Sequence, residues 1–179
     1  RILKRGTGQY AKKYLHTPTG LEINRLFIVG TLIEKRKINA DFDFWQGKVA
    51  DSFGTFQINA GKYQPQALRI LSNISVPMFI AVIGKPSVYK RNNKDENNTH
   101  SKFSKINTFI NAESIYVVDL STRNQWVFET AECMIERIKS YNSKECENKL
   151  HSVDLDSSFP NIMKDDYLIK AQYAIDSIK

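Results

Sequence analysis

The sequence predicts a mainly β protein: a five-stranded barrel with one short helix between its third and fourth strands, followed by a C-terminal association helix. Three observations predict it. Residues 24–121 carry five β-type segments, interrupted by a single helical pattern after the third. Glycines fall within long strand patterns at Gly30 and Gly84, where the strands of a small barrel have to bend. An apolar stripe of helical period begins only after the fifth strand.

The segments justify themselves in order. Residues 1–23 hold Gly6, Gly8, Pro18 and Gly20 with no sustained period and read as a mobile basic arm. NRLFIVGTLIEKRKI (24–38) is a long strand, apolar on both faces in its first half. DFWQGKVADSFG (43–54) places Trp45 and Val49 on one side and Gln46 and Lys48 on the other. The turn at 51–54 leads into TFQINAGKYQP (55–65), where Phe56, Ile58 and Ala60 alternate with Gln57 and Asn59. These two segments form a hairpin with one apolar and one polar face. Ala67, Leu68, Leu71 and Ile74 fit a short helix with Pro65 in its first turn. VPMFIAVIGKPSVYKR (76–91) and NTFINAESIYVVDL (107–120) are the fourth and fifth strands, joined by the polar, Asn-rich loop 92–102. That order is the Greek-key order of the OB-fold.

Beyond the barrel, residues 124–143 form a helix with Val127, Ala131, Met134, Ile135 and Ile138 on one face and Trp126 at its start. The stripe admits two uses: packing back on the barrel, or association, in which two partner helices in a three-helix bundle would bury it fully. Residues 144–179 form an acidic tail with a weaker helix at 163–178.

The chain has 179 residues, 26 Lys and Arg against 19 Asp and Glu, and a net charge of +7. That length suits one domain with a helical appendage. No stretch approaches the roughly 18 apolar residues of a membrane span, so no membrane partner is expected. Cys133 and Cys146 are too few for a disulfide framework and suit a reducing, intracellular setting. Basic residues cluster before Glu22 and between Lys85 and Lys105, while the tail after Lys144 is acidic. A β-rich middle between two basic segments suggests an anionic partner there.

Catalytic signatures are scarce, and no enzyme, metal or cofactor is expected. His16, His100 and His151 lie in polar contexts without a nucleophile elbow, and Cys133, Cys146 and His151 lack zinc-site spacing. Gly6-Thr7-Gly8 lacks the strand and the later residues of a phosphate loop. Binding chemistry fits better. Single-stranded nucleic acid is held by cations at its phosphates and by exposed aromatic rings under its bases. Tyr63, beside Lys62 at the end of the third strand, and Tyr89, before Lys90 and Arg91 at the end of the fourth, are the candidate platforms. Lys48, Lys62, Lys85, Lys90 and Arg91 are the candidate phosphate contacts. Gln46, Lys48, Gln57 and Asn59 are placed to touch backbone or base edges, or else form an ordinary wet sheet face. Phe27, Trp45, Phe56, Phe79 and Tyr116 follow apolar strand patterns and are expected in the core.

The run from NRLFIVGTL through DFWQGKVADSFGTFQINAGKYQP and VPMFIAVIGKPSVYKR to RNQWVFETAECMIERI resembles the archaeal replication protein A family, and within it the small replication-protein-A-associated OB-fold subunit. The resemblance spans about residues 22–142. Its most specific parts are Ala-Gly-x-Tyr-Gln-Pro at 60–65 and Trp-Val-x-Glu-Thr-Ala-Glu at 126–132. More distantly, the chain is similar to the middle subunit of eukaryotic replication protein A. The resemblance implies single-stranded DNA binding in replication, repair and recombination, in a cytoplasmic, nucleoid-associated complex. It also implies base stacking at Tyr63 and Tyr89, and assembly with other subunits through Trp126, Val127, Ala131, Met134, Ile135 and Ile138. The alternatives are a structural subunit contacting only proteins, and an RNA-binding OB module.

Overall fold

The computed structural model describes residues 2–5, 12–17, 22–39, 41–90, 106–142 and 161–178. Its first three strands, β1 (Ile2–Arg5), β2 (Lys12–His16) and β3 (Glu22–Ile23), form a small antiparallel sheet. Within the arm read as mobile and basic, β1 and β2 pair with each other: Ile2 to Leu15 and Arg5 to Lys12 mark the register. The short apolar doublets in this arm carry too few residues to show a period.

The barrel follows. Strands β4 (Leu26–Asn39), β5 (Phe44–Ala50), β6 (Thr55–Ala60), β7 (Met78–Lys90) and β8 (Ile106–Val117) close in the order β4-β5-β6-β8-β7. β4 pairs antiparallel with both β5 and β7, and β6 closes onto β8 in parallel. Helix α1 (Pro65–Asn73) lies between β6 and β7 in the chain. The interior is filled by Ile28, Leu32, Val49, Ile58, Leu71, Ile80, Val82 and Ile115, with Trp45 and Phe56 packed at its margins. α1 plugs this core from one side. A side chain at Gly47 would bring its Cβ within 2.9 Å of Leu32 and 3.1 Å of Leu71, so at this inward position of β5 those core side chains would have to shift to admit one. At Gly30 a side chain would bring its Cβ within 2.5 Å of the Ala50 carbonyl oxygen, so there the backbone of the paired strand leaves no room.

α1 starts on Pro65, whose missing N–H costs nothing at a helix start. Its end is fixed by Lys35 Nζ, which donates to the Ser72 carbonyl at 2.8 Å. The Gln66 amide donates to the Ile115 carbonyl at 2.7 Å and accepts from the Ile115 N–H at 2.9 Å, tying the helix to β8.

Ile33 is a bulge in β4: Leu32 pairs with Val49 and Glu34 with Lys48, so Ile33 has no partner. An extra residue reverses the alternation beyond it. Glu34 and Arg36 therefore turn to the outer face of the barrel, while Lys35 lies 5.1 Å from the Trp45 ring.

Helix α2 (Leu120–Asn142) starts earlier than its apolar stripe, because Asp119 caps it: Asp119 Oδ1 accepts from the Thr122 N–H at 2.8 Å. α2 rests on the outer face of β4. There Phe27 meets Trp126 edge-on, with centroids 4.7 Å apart. The double apolar face of β4 has this cause: Ile28 faces the interior, and Val29, also buried, faces outward. Three expected core aromatics lie outside the barrel core; one is Phe79, half-buried, which alternates with the inward Met78 and Ile80. Phe27 stays 44% exposed beside α2, and Tyr116, at 54%, is paired with Ala81 on the outer side of β8.

The last helix, α3 (Asn161–Asp176), packs on α2. Val127, Ala131, Ala171 and Ala174 are buried together, with Met134, Ile135, Ile175, Ile178 and Phe53 of the β5–β6 turn around them. The stripe expected to serve association is thus covered by the chain's own α3. Ile138 is also buried, and Trp126 faces the barrel.

Candidate functional site

The polar face of the β5–β6 hairpin, extended by the bulge-turned residues of β4 and the start of β8, encloses a groove of about 460 Å³. Glu34, Arg36, Gln46, Lys48, Gln57 and Asn107 line it, with Thr55, Phe56 and Thr108 at its margin. Register explains the grouping. Arg36 pairs with Gln46 and Glu34 with Lys48 across β4–β5, while Lys48 pairs with Gln57 and Gln46 with Asn59 across β5–β6. Facing residues of paired strands share one side of the sheet.

The side chains are ordered by a chain of hydrogen bonds. Arg36 donates from Nε at 3.0 Å and from Nη2 at 2.6 Å to the single oxygen Gln46 Oε1. Gln46 Nε2 donates in turn to Asn59 Oδ1 at 3.1 Å. Further across, Asn59 pairs with Asn111, whose amide nitrogen donates to Ser87 Oγ at 2.8 Å.

The structure brings some expected residues together and separates others. Gln46, Lys48 and Gln57 line the groove, and Lys48 takes part in none of the ion pairs formed among the described residues. Asn59, expected on the wet face, is only 6% exposed, because it lies beneath the Gln46 amide and beside β8. Tyr63 is 81% exposed beyond the end of β6, outside the groove lining, with Lys62 Nζ 5.0 Å from its ring. Lys85, expected at a phosphate, is held by Glu113 at 3.5 Å. The Arg25 guanidinium, 2.7 Å from Glu113, together with Lys85, holds the Glu113 carboxyl below the usual range. Tyr89 and Lys90 end β7, where Tyr89 pairs with the groove residue Asn107. Their side chains, with Arg91 and the loop 92–102, lie outside the described residues.

Sequence reasoning missed Arg36, Glu34, Asn107 and Thr108. Extrapolating the alternation from Ile28 and Leu32 puts Arg36 inside the barrel, and only the bulge turns it out. The β8 pair had a visible signal, since Asn107 and Thr108 are polar residues at the start of a strand. Among the described residues, no three His, Cys, Asp or Glu side chains gather as a metal site. No described helix is long and apolar enough to cross a membrane.

No protein-family model and no curated protein sequence matches the chain. Among solved structures, the chain is similar to a replication protein A heterotrimer bound to single-stranded DNA, with 15% identity over 75% of this chain and 88% of that one, at a TM-score of 0.46. It is also similar to the mitochondrial single-stranded DNA-binding protein Rim1 of S. cerevisiae, with 12% identity, 54% and 94% coverage and a TM-score of 0.40. A small single-stranded DNA-binding protein of Streptomyces coelicolor shows 17% identity, 55% and 95% coverage and a TM-score of 0.36. The architecture itself rests on the strand order and register given above.

Proposed function

We propose that the chain is a single-stranded DNA-binding subunit of a replication protein A-like assembly, acting in DNA replication, repair and recombination. The groove carries the proposal: a polar channel on the outside of a closed barrel, with the cations Arg36 and Lys48 and the amides of Gln46 and Gln57 on its walls. Lys48 meets a phosphate, the amides meet base edges, and the exposed Tyr63 ring, with Lys62 above it, stacks a base where the strand leaves β6. Such a stack is worth about 1–3 kcal/mol, or roughly five- to a hundredfold in affinity.

Titration of a labelled oligothymidine at several salt concentrations tests this. Tyr63→Ala is expected to weaken binding by that factor without changing the salt slope. Lys48→Ala is expected to reduce the slope by about 0.7 logarithmic units, the value for one single-strand phosphate contact. Lys85→Ala leaves both unchanged, because Glu113 already holds that ammonium group. Failure of the purified chain to retard single-stranded DNA at physiological salt refutes the reading. Preferential competition by a matched RNA strand replaces DNA with RNA as the ligand.

A further inference from the structure

Two turns meet at one end of the groove. By strand alternation Phe44 lies on the same face of β5 as the groove residues Gln46 and Lys48, toward the β4–β5 turn. Its half-buried ring lies over Gly61, just past β6. A Cβ at Gly61 would stand 2.9 Å from Phe44 Cδ2 and 3.5 Å from Cε2, so glycine lets the ring rest there. This contact joins the β4–β5 turn to the turn after β6. The first turn is closed by the Phe44 N–H, which donates to the Phe42 carbonyl at 2.8 Å. It is clasped by Lys37 Nζ, 3.0 Å from Asp43 Oδ1. The second turn is held from both ends: the Gln64 N–H donates to the Gly61 carbonyl at 2.9 Å, and the Gly61 N–H donates to Gln64 Oε1 at 3.2 Å. Phe42, in the first turn, is 68% exposed, and Tyr63, in the second, 81%. Among the described residues these are the two most exposed aromatic side chains of the barrel. Each stands two residues from a partner in the Phe44–Gly61 contact, a backbone reach of about 7 Å.

We propose that Phe42 is a further base-stacking platform, set beside Tyr63 by the Phe44–Gly61 contact, so that a strand leaving the groove past this end meets both rings. This rests on the reading of the groove as a single-strand site and adds to it a residue and a path. A ring exposed on a well-tied turn contributes little to the core, whereas a base laid on it gains a full stacking face. The tip offers nothing to a phosphate. Its cation Lys37 is already tied to Asp43, and Asp41 flanks Phe42 on the other side. Contact at Phe42 is therefore with the face of a base, and a neutral stack displaces no counterions. Every base has such a face, so Phe42 adds affinity without a preference for sequence.

The test is equilibrium titration of the full chain with oligothymidine of about 16 nucleotides, the upper end of what one such barrel covers, and with an abasic strand of equal length. Both are measured at a salt concentration low enough for the abasic strand to bind through its phosphates. Phe42→Ala is expected to weaken binding of oligothymidine roughly five- to a hundredfold, the span of one stacked base. It should leave the abasic strand and the salt slope unchanged, because only the base is lost from the contact. Phe42→Tyr keeps a ring and should bind both strands like the wild type. Tyr63→Ala, run beside these, tests the groove reading by itself. Undiminished affinity of Phe42→Ala for oligothymidine overturns the inference, and so does an equal loss on both strands, which marks a damaged turn and not a lost stack. Where Tyr63→Ala still shows its own base-dependent loss, the functional reading stands without Phe42. Failure of the wild type to bind either strand overturns the functional reading and this inference with it.

Discussion

Asp51 holds the β5–β6 turn through one oxygen: Oδ1 accepts from the N–H groups of Phe53 and Gly54, each at 2.8 Å. Burial pushes this carboxyl above the usual range, and the two backbone donors and the nearby Arg123 only partly offset it. A raised value in the folded state means that folding favours the protonated form. The stabilisation is full below the unfolded value of about 3.9 and is lost as pH rises through the folded value. At neutral pH the ionised group therefore costs stability, while its hydrogen bonds still supply some. Asp51→Asn keeps the acceptor and removes the charge. Its melting temperature at pH 7 is expected to equal or exceed that of the wild type by a few degrees, with the advantage shrinking toward pH 4. Asp51→Ala removes the acceptor from two N–H groups and should lose about 1–3 kcal/mol. Thermal melts at both pH values check this, and an Asn variant as weak as the Ala variant would refute it. Glu113 and Asp119 have the opposite sign: both are held low by hydrogen bonds, so their contributions are lost on acidification.

The elements repeat the lesson that a pattern shows that a face is covered without showing what covers it. The α2 stripe of Val127, Ala131, Met134 and Ile135 was legible from its period, and so was a helix at the C-terminal end of the chain. That the second covers the first was not, because the weak pattern of α3 hides small contacts such as Ala171 and Ala174, which count for little in a hydrophobicity pattern but allow close approach. The barrel shows the same limit. The hairpin with its Gln46, Lys48 and Gln57 face could be read from simple alternation, whereas Arg36 could not, since one unpaired Ile33 reverses the phase of β4. Removing α3 tests the packing. A chain ending at Pro160 would bare side chains worth roughly 1.5–3 kcal/mol each when fully buried. It is expected to self-associate in a concentration-dependent way, seen by light scattering after size-exclusion chromatography, while the full chain does not. A monomeric truncation with α2 still helical would show that α3 does not guard an association surface.

At the scale of the molecule there are two cores. The barrel interior and the α2–α3 cluster share no buried residue. They are joined by Phe53, which reaches from the β5–β6 turn into the helical cluster, and by the edge contact of Phe27 with Trp126. Two packed units unfold together only while the junction between them contributes enough. Phe53 is half-buried, so Phe53→Ala should cost about 1–3 kcal/mol, less than the full range for a core phenylalanine. That loss falls mainly on the helical pair, because the barrel keeps its closed ladder. The two tryptophans report separately, Trp45 at the barrel margin and Trp126 on α2, when the other is replaced by Phe. In the otherwise native chain both fluorescence transitions are expected to coincide with the loss of ellipticity. With Phe53→Ala, the Trp126 signal should be lost several degrees before that of Trp45. Every groove residue named here is carried by the barrel, so affinity for oligothymidine between the two midpoints should stay within about twofold of the value below both, after allowance for temperature. Transitions that stay coincident would make the molecule a single cooperative unit. A loss of binding with the first transition would place part of the site on the helices.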